Sequence, residues 1–280
     1  ASSLSVFPTK ADANATIKVR INNGAFTLVS SGTASPALPL NVGGNQLDVQ
    51  LTAQDGTVRT YTVAVTRLAA SSLPAHPLAF NGTNQYVSVP ANPKFETSST
   101  TVELWVKPDW TAGQASGNPT LLGVRSATGT RYSIHLNNGL NMIGMWNNSS
   151  YQMVPYTFVK GTWYHVAVVM RPGGSDFYVN GAFIGAIGTT LNTGLTGRPV
   201  HIGVADAGLG EPFKGEMDEI RIWNTARAAG EIAQHYCNPV PAGSSGLVAY
   251  YDIEQGVTGP GNATAKRLAD KTANGLHGTL

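Results

Sequence analysis

The sequence holds a single cysteine, Cys237, among its 280 residues, so no disulfide forms within the chain and a fold stapled by several bridges is excluded. Charge is also scarce. Asp, Glu, Lys and Arg together make up 12% of the residues, about half of the ~25% usual in globular proteins. The 18 basic and 16 acidic residues leave a formal net charge of +2, with no Lys/Arg run or basic stripe, which removes the footprint expected of a nucleic-acid partner. No apolar run approaches the ~20 residues of a membrane helix, so no membrane insertion is expected. No signal-peptide pattern is visible, and the first residue is Ala1 rather than Met. The chain is therefore expected to be a fragment or mature form of a longer protein, adjoining further domains. Its low-charge, Thr/Asn/Gly-rich surface is common in exported bacterial modules, so the expected location is secreted or cell-surface.

What is present favours strands. Hydrophobic residues reach 42%, enough for a sizeable core, and 32 Gly and 16 Pro supply turns. "ATIKVRI" (15–21), "QLDVQLTA" (46–53) and "RTYTVAVTR" (59–67) alternate with period two, the pattern of strands with one buried and one wet face. "AQDG" (53–56) and "INNG" (21–24) read as turns, since Asp-Gly and Asn-Gly tolerate positive φ. This part predicts a small Ig-like sandwich. Residues 69–77 are a linker by composition, rich in small residues and proline. Beyond it, nine or so strand candidates from "LAFNGTNQYVSVP" (78–90) to "EMDEIRIWN" (216–224) predict two packed sheets. One short helix is predicted over about 226–236, with Thr225 as its N-cap.

Two resemblances sharpen this. "DANATIKV" and "SGTASPALPLNVGGNQLDVQLTAQDGTVRTYTVAVTR" resemble the bacterial cadherin-like β-sandwich family over residues 1–68, without the opening strands such modules usually carry. "LAFNGTNQYVSVP", "TVELWVKP", "GTWYHVAVVMRPGGSDFYVNGAFIG" and "FKGEMDEIRIWN" occur in the order found in the laminin-G-like, concanavalin A-like jelly roll, over residues 78–238. The expected fold is thus all-β: a small Ig/cadherin-like sandwich followed by a concanavalin A-like jelly-roll β-sandwich with one short helix. The segment 239–280 is out of place, because "GLVAYYDIEQG" and "LADKTANGLHGTL" resemble the opening of a laminin-G-like domain yet follow one. Either a second copy begins here, or the segment folds back and completes the jelly roll. Folding back is expected, since an orphan Leu247–Tyr251 strand would expose apolar surface and unpaired backbone groups.

Function turns on three carboxylates, Glu216, Asp218 and Glu219. The resemblance implies that glucanases of this fold carry acids at i, i+2 and i+4 of one strand; here i+4 is Ile220. A retaining glycosidase needs carboxyls about 5–5.5 Å apart, which Glu216 and Asp218 could meet, but the apolar continuation argues against catalysis. No Ser-His-Asp pattern, phosphate loop or His/Cys metal spacing is apparent, and the six histidines are expected mostly on element surfaces. Ile220 and Ile222 are expected in the core, Glu219 and Arg221 as a weak pair, and Trp223 in packing. The resemblance further implies a structural Ca²⁺ held by Asp218 with Asn81, Gly82 and Asn84, though relatives have Asp where this chain has the two asparagines. Sugars stack on aromatic rings and bond to amides and carboxylates. Trp146, Asn147, Asn148, Tyr151 and Gln152 form the leading candidate, and Trp110 a second. The alternative is that Trp146 closes the core and the asparagines satisfy turns. These readings predict a non-enzymatic module binding a glycan or cell-surface protein. The competing readings are a structural spacer or protein-interaction segment of an adhesin or filament, and a glycan hydrolase.

Overall fold

The computed structural model describes residues 3–41, 43–67, 76–110, 117–137, 139, 141–208, 210–254 and 266–280. The chain divides into two compact units, Ala1–Ser71 and Ser72–Leu280. The expected linker at 69–77 falls outside the described residues apart from His76 and Pro77.

The first unit contains β1 (Ser3–Leu4), β2 (Thr16–Ile21), β3 (Thr27–Val29), β4 (Leu38–Pro39), β5 (Gly43–Thr52) and β6 (Val58–Arg67). Four of them form an antiparallel sheet in the order β3-β2-β5-β6, and β1 pairs with β4. The alternation in β2 sends Ile17, Val19 and Ile21 inward, where Val19 lies opposite Val49 and Ile21 opposite Leu47. Asn22 and Asn23 take φ of 50° and 59°, making the "INNG" turn, and Gly56 at φ 86° closes the "AQDG" turn between β5 and β6.

The second unit contains β7 (Leu78–Asn81), β8 (Val87–Val89), β9 (Thr100–Pro108), β10 (Thr120–Ser126), β11 (Gly129–Asn137), β12 (Met142–Trp146), β13 (Tyr151–Pro155), β14 (Tyr164–Arg171), β15 (Gly174–Val179), β16 (Ala182–Ile187), β17 (Val200–Ile202), β18 (Lys214–Trp223), α1 (Ala229–His235), β19 (Leu247–Tyr251), β20 (Arg267–Leu268) and β21 (Gly278–Thr279). One sheet runs β13-β12-β11-β10-β17-β8-β21-β20 and the other β16-β15-β14-β9-β18-β19, with β7 also on β18. Their inner faces meet in one core that includes Val102, Leu104, Ile134, Met145, Ile220 and Ile222.

The outer face of the second sheet is also covered. Ile232 of α1 packs on Ala167, Val169 and Tyr178. The helix is shorter than predicted, and Thr225 is not its cap: Ala228 holds the N-cap position and its N–H is taken by Glu231 at 2.8 Å. Beneath this cover lies a buried charge network. Glu103 is 0% exposed, with Arg227 Nε 3.5 Å from one carboxylate oxygen and His165 Nε2 3.5 Å from the other. Arg221, 2% exposed, bonds Glu219 and the carbonyls of His235 and Asn238. The expected weak surface pair of Glu219 and Arg221 is therefore part of an interior network. Burial alone would raise the Glu103 carboxyl, but His165 and the two guanidiniums hold it below its usual range.

The C-terminal segment folds back. β19 pairs with β18, Tyr251 opposite Ile220 and Ala249 opposite Ile222. β7 pairs with the preceding half of β18, Leu78 opposite Met217. β7 and β19 thus lie end to end along one edge of β18, whose other edge belongs to β9.

Candidate functional site

Three neighbouring strands set the site. Ile134, Met145 and Gln152 align across β11, β12 and β13, as do Leu136, Ile143 and Val154, and the apolar members of both rows enter the core. Side chains one position away must face outward. That places Ser133, Trp146 and Tyr151 in one outward row and His135 in the next. Gly123 of β10 continues this surface beside Ser133. A Cβ on Gly123 would come within 2.4 Å of the Ala205 carbonyl oxygen, so its lack of a side chain lets the loop after β17 close over the sheet. That loop carries Asp206 and Glu211. Glu211 takes φ 57°, a conformation rare for a residue with a side chain, and its carbonyl accepts the Thr120 N–H at 2.9 Å.

The result is a cleft of about 340 Å³ lined by Asn118, Arg125, His135, Trp146, Tyr151 and Glu211. Trp146 and Tyr151, both half-buried, are cross-strand partners and form an aromatic wall. His135 meets Tyr151 edge-on at 5.6 Å. The Tyr151 hydroxyl donates to Asn118 Oδ1 at 2.7 Å and Asn137 Nδ2 donates to the same oxygen at 2.8 Å. Asn118 Oδ1 is thereby taken by two donors, and its amide N–H groups are what this side chain still has to donate. Arg125, also in the lining, has its Nε 3.0 Å from Asp206 Oδ2, and Glu211 supplies acceptor oxygens.

His135 is held from both sides. Nδ1 lies 3.0 Å from the Asn118 carbonyl and 3.4 Å from Glu211 Oε2, while Nε2 lies 2.6 Å from Ser133 Oγ. Acceptors around Nδ1 assign it the proton, so Nε2 accepts from Ser133. Burial pulls its pKa below the ordinary histidine value. Ser133, His135 and Glu211 thus stand in the order of a nucleophile relay that sequence spacing did not reveal. Ser133, however, is 0% exposed, so the chain of bonds fixes the cleft floor and presents no nucleophile to a ligand.

Of the residues singled out in the sequence, Trp146 and Tyr151 line the cleft and the others serve different ends. Asn147 is buried; its Oδ1 accepts the Ser149 and Ser150 N–H groups and its amide donates to Thr190, so it builds the turn. Asn148, at φ 79°, accepts from Thr130 N. Gln152 lies in the row of Met145 and accepts from Thr189, on the face opposite the cleft. Trp110 is 7% exposed and packs edge-on against Phe213 at 5.3 Å, so it is a core residue rather than a sugar platform. The histidines expected on surfaces include three interior ones, His135, His165 and His201, at 1–2% exposure. The contributions of Asn118, Arg125, His135 and Glu211 escaped sequence reading because only the strand order gathers them. A second hollow of about 390 Å³ touches Thr279 and Leu280; its one half-exposed ring, Tyr86, already packs on His201 at 5.8 Å.

The residues expected to hold Ca²⁺ do not converge. Asn81 pairs with Lys214, four positions along β18 from Asp218, about 13 Å at ~3.3 Å per residue. Asn81 Oδ1 accepts the N–H groups of Thr83 and Asn84, and its amide donates to Asn84 Oδ1. Gly82, at φ 76°, belongs to the same turn. Among the described residues no group of three or more His, Cys, Asp or Glu is placed to hold a metal. This set does not fit a calcium ion, and no role is derived from one.

The acids of β18 are likewise dispersed. Glu216 bonds Lys107 at 2.6 Å, Glu219 belongs to the Arg221 network, and Asp218 is 1% exposed and accepts the Glu219 N–H at 2.7 Å. Burial, with the nearby charges of Glu219, Glu254 and Asp252, pushes the Asp218 pKa from 3.8 to about 7. The folded protein therefore holds this proton more tightly than the unfolded chain. The associated stability is present below about pH 4, is lost as pH rises through about 7, and stays lost above. Asp218→Asn is expected to stabilise the protein at pH 8 by about 4 kcal/mol and to flatten that slope. Urea denaturation at pH 4 and pH 8 checks it; equal gains at both pH values would show that Asp218 is not the group that titrates.

Comparison with known proteins places these features. A cadherin-like β-sandwich model matches residues 1–68, and a laminin-G-type model of the concanavalin A-like lectin/glucanases superfamily matches residues 81–233. Among solved structures, a candidate carbohydrate-binding protein from Bacteroides ovatus is 19% identical, with 99% of this chain and 89% of that one covered and a TM-score of 0.57. A heptameric SAP-like pentraxin from Limulus polyphemus is 20% identical, covering 61% of this chain and 86% of its own at TM-score 0.48. Domain 4 of an extracellular arabinanase from Geobacillus stearothermophilus, solved with arabinotriose, is 20% identical, covering 62% and 82% at TM-score 0.46. At 19% identity the likeness to the first of these is one of fold. No curated protein matches the chain by sequence. Since the laminin-G-type model spans more than half of the 280 residues, the protein belongs to the concanavalin A-like lectin/glucanases superfamily.

Proposed function

We propose that the protein is a non-catalytic carbohydrate-binding module of a larger secreted or surface-exposed bacterial protein, and that the Trp146–Tyr151 cleft takes the sugar. The observation that carries this reading is the pairing of an aromatic wall with donors and acceptors in one cleft of about 340 Å³. A pyranose ring stacks through its C–H face on an aromatic ring, and its hydroxyls both donate and accept. Asn118 and Arg125 offer donors and Glu211 an acceptor, which suits neighbouring hydroxyls. The superfamily is named for both lectins and glucanases; the dispersal of Glu216, Asp218 and Glu219 and the burial of Ser133 favour the lectin role. Adhesion would follow from such binding in a multidomain surface protein.

Trp146→Ala is expected to weaken glycan binding about thirtyfold, the effect of losing a central aromatic anchor worth about 2 kcal/mol, with little change in melting temperature because the ring is half-buried at the end of β12. A glycan array followed by calorimetric titration checks this. Undiminished binding by the variant would remove the cleft from the proposal, and an array without any hit would remove the sugar.

A further inference from the structure

We infer that the cleft selects amino sugars carrying a free ammonium group over neutral and acidic sugars. The inference rests on the carbohydrate reading above and names its ligand class. The charges facing the cleft are those of Arg125 and Glu211, with His135 on the floor and Asp206 behind Arg125. Arg125 is engaged by Asp206 at 3.0 Å, so that pair is close to neutral. His135 is buried, which favours its neutral form, and both ring nitrogens are held, Nδ1 by the Asn118 carbonyl and Nε2 by Ser133. Glu211 has no Lys or Arg partner among the described residues, only this buried histidine at 3.4 Å. One carboxylate thus stands uncompensated in the cleft.

It stands in the same cleft as the rings of Trp146 and Tyr151. A carboxylate beside aromatic faces is the arrangement that recognises a cation, because ring quadrupole and carboxylate both attract positive charge. An ammonium on the sugar would satisfy Glu211, while a uronate would be repelled by it and an N-acetyl group would remove the charge. The positive φ of Glu211 and the bond from Thr120 N–H to its carbonyl fix the backbone from which the carboxylate projects. The acceptor is therefore set in place before any ligand arrives.

The test is calorimetric titration of the full chain with the β-1,4-linked tetramer of glucosamine, its fully N-acetylated counterpart, cellotetraose and a glucuronate oligomer, at pH 6 in low salt. The glucosamine tetramer is expected to bind about tenfold more tightly than cellotetraose, the glucuronate oligomer not at all, and added salt to erode the preference. Glu211→Gln keeps the backbone contact and an acceptor oxygen but removes the charge, and is expected to bring glucosamine and glucose oligomers within about twofold of each other, the ratio of the two affinities being the readout. Equal binding of the two by the native protein, or a preference that survives in Glu211→Gln, overturns the amine inference and leaves the sugar reading standing. Binding of none of the four by a folded protein overturns both.

Discussion

A chain ending at Ser245 is expected to lose the cooperative unfolding transition of its second unit. All five residues of β19, Leu247 to Tyr251, are buried, and Val248, Ala249 and Tyr251 belong to the main core. Burial of such side chains contributes about 1.5–3 kcal/mol each for the large ones. The strand as a whole is worth of order 10 kcal/mol, comparable with the ~5–15 kcal/mol net stability of a domain. Removing it also strips half of one edge of β18 of its partners and leaves Ile220 and Ile222 beside a void. Behind β19, Asp270 accepts the N–H groups of Tyr250, Thr272 and Leu276, and the Tyr251 hydroxyl donates to the Leu276 carbonyl. The last segment is thus wired to the strand it follows. Circular dichroism melts of the full and shortened chains decide the matter. A shortened chain melting as sharply and at the same temperature would mean that β19 is an appendage. Recovery of the transition on adding a peptide of residues 246–280 would show that the missing element is this C-terminal segment itself.

Replacing Glu103 by methionine is expected to cost about 3–5 kcal/mol. Arg227 would then be left in the interior with its nearest carboxylate gone: among the described residues its other anionic contact is Glu231 at 3.9 Å, and its guanidinium lies 3.8 Å above the Trp223 ring. Arg221 would retain Glu219. Breaking one side of a buried pair is costly because it strands the other charge, whereas replacing both partners with apolar groups removes the desolvation penalty too. The double variant Glu103→Met, Arg227→Met is therefore expected to be more stable than Glu103→Met alone. Denaturant titrations of the two single variants and the double give the coupling between the sites. A double variant whose loss equals the sum of the single losses would mean that these charges do not sense each other.

Much of the architecture was legible because it depends on local pattern. The alternation of "ATIKVRI" predicted which face of β2 is buried, and the Asn-Gly and Asp-Gly dipeptides predicted turns that require positive φ. Ile220 and Ile222 were placed in the core by the same alternation. The exposure of a tryptophan is not a local property. Trp110 and Trp146 both stand beside polar loop residues, yet Phe213 covers one and leaves nothing for a ligand, while Trp146 faces outward beside Tyr151. The amides show the same limit. Asn147 looked suited to a ligand but spends its bonds on its own turn, whereas Asn118 is drawn into the cleft by Tyr151 and His135. The calcium set implied by the laminin-G-like resemblance failed on register: pairing of Asn81 with Lys214 keeps its turn apart from Asp218.

The arrangement of β7 and β19 along one edge of β18 also governs the order in which this unit is able to assemble. The edge of β18 is finished at one end by residues that precede most of the unit and at the other by residues that follow them. Joining segments so distant in sequence closes large loops before any contact rewards the loss of freedom, a topology that places folding in the milliseconds-to-seconds range rather than in microseconds. A growing chain would carry half of a bare strand edge until Tyr251 is made, so this protein's most adhesive moment towards copies of itself comes during its own synthesis.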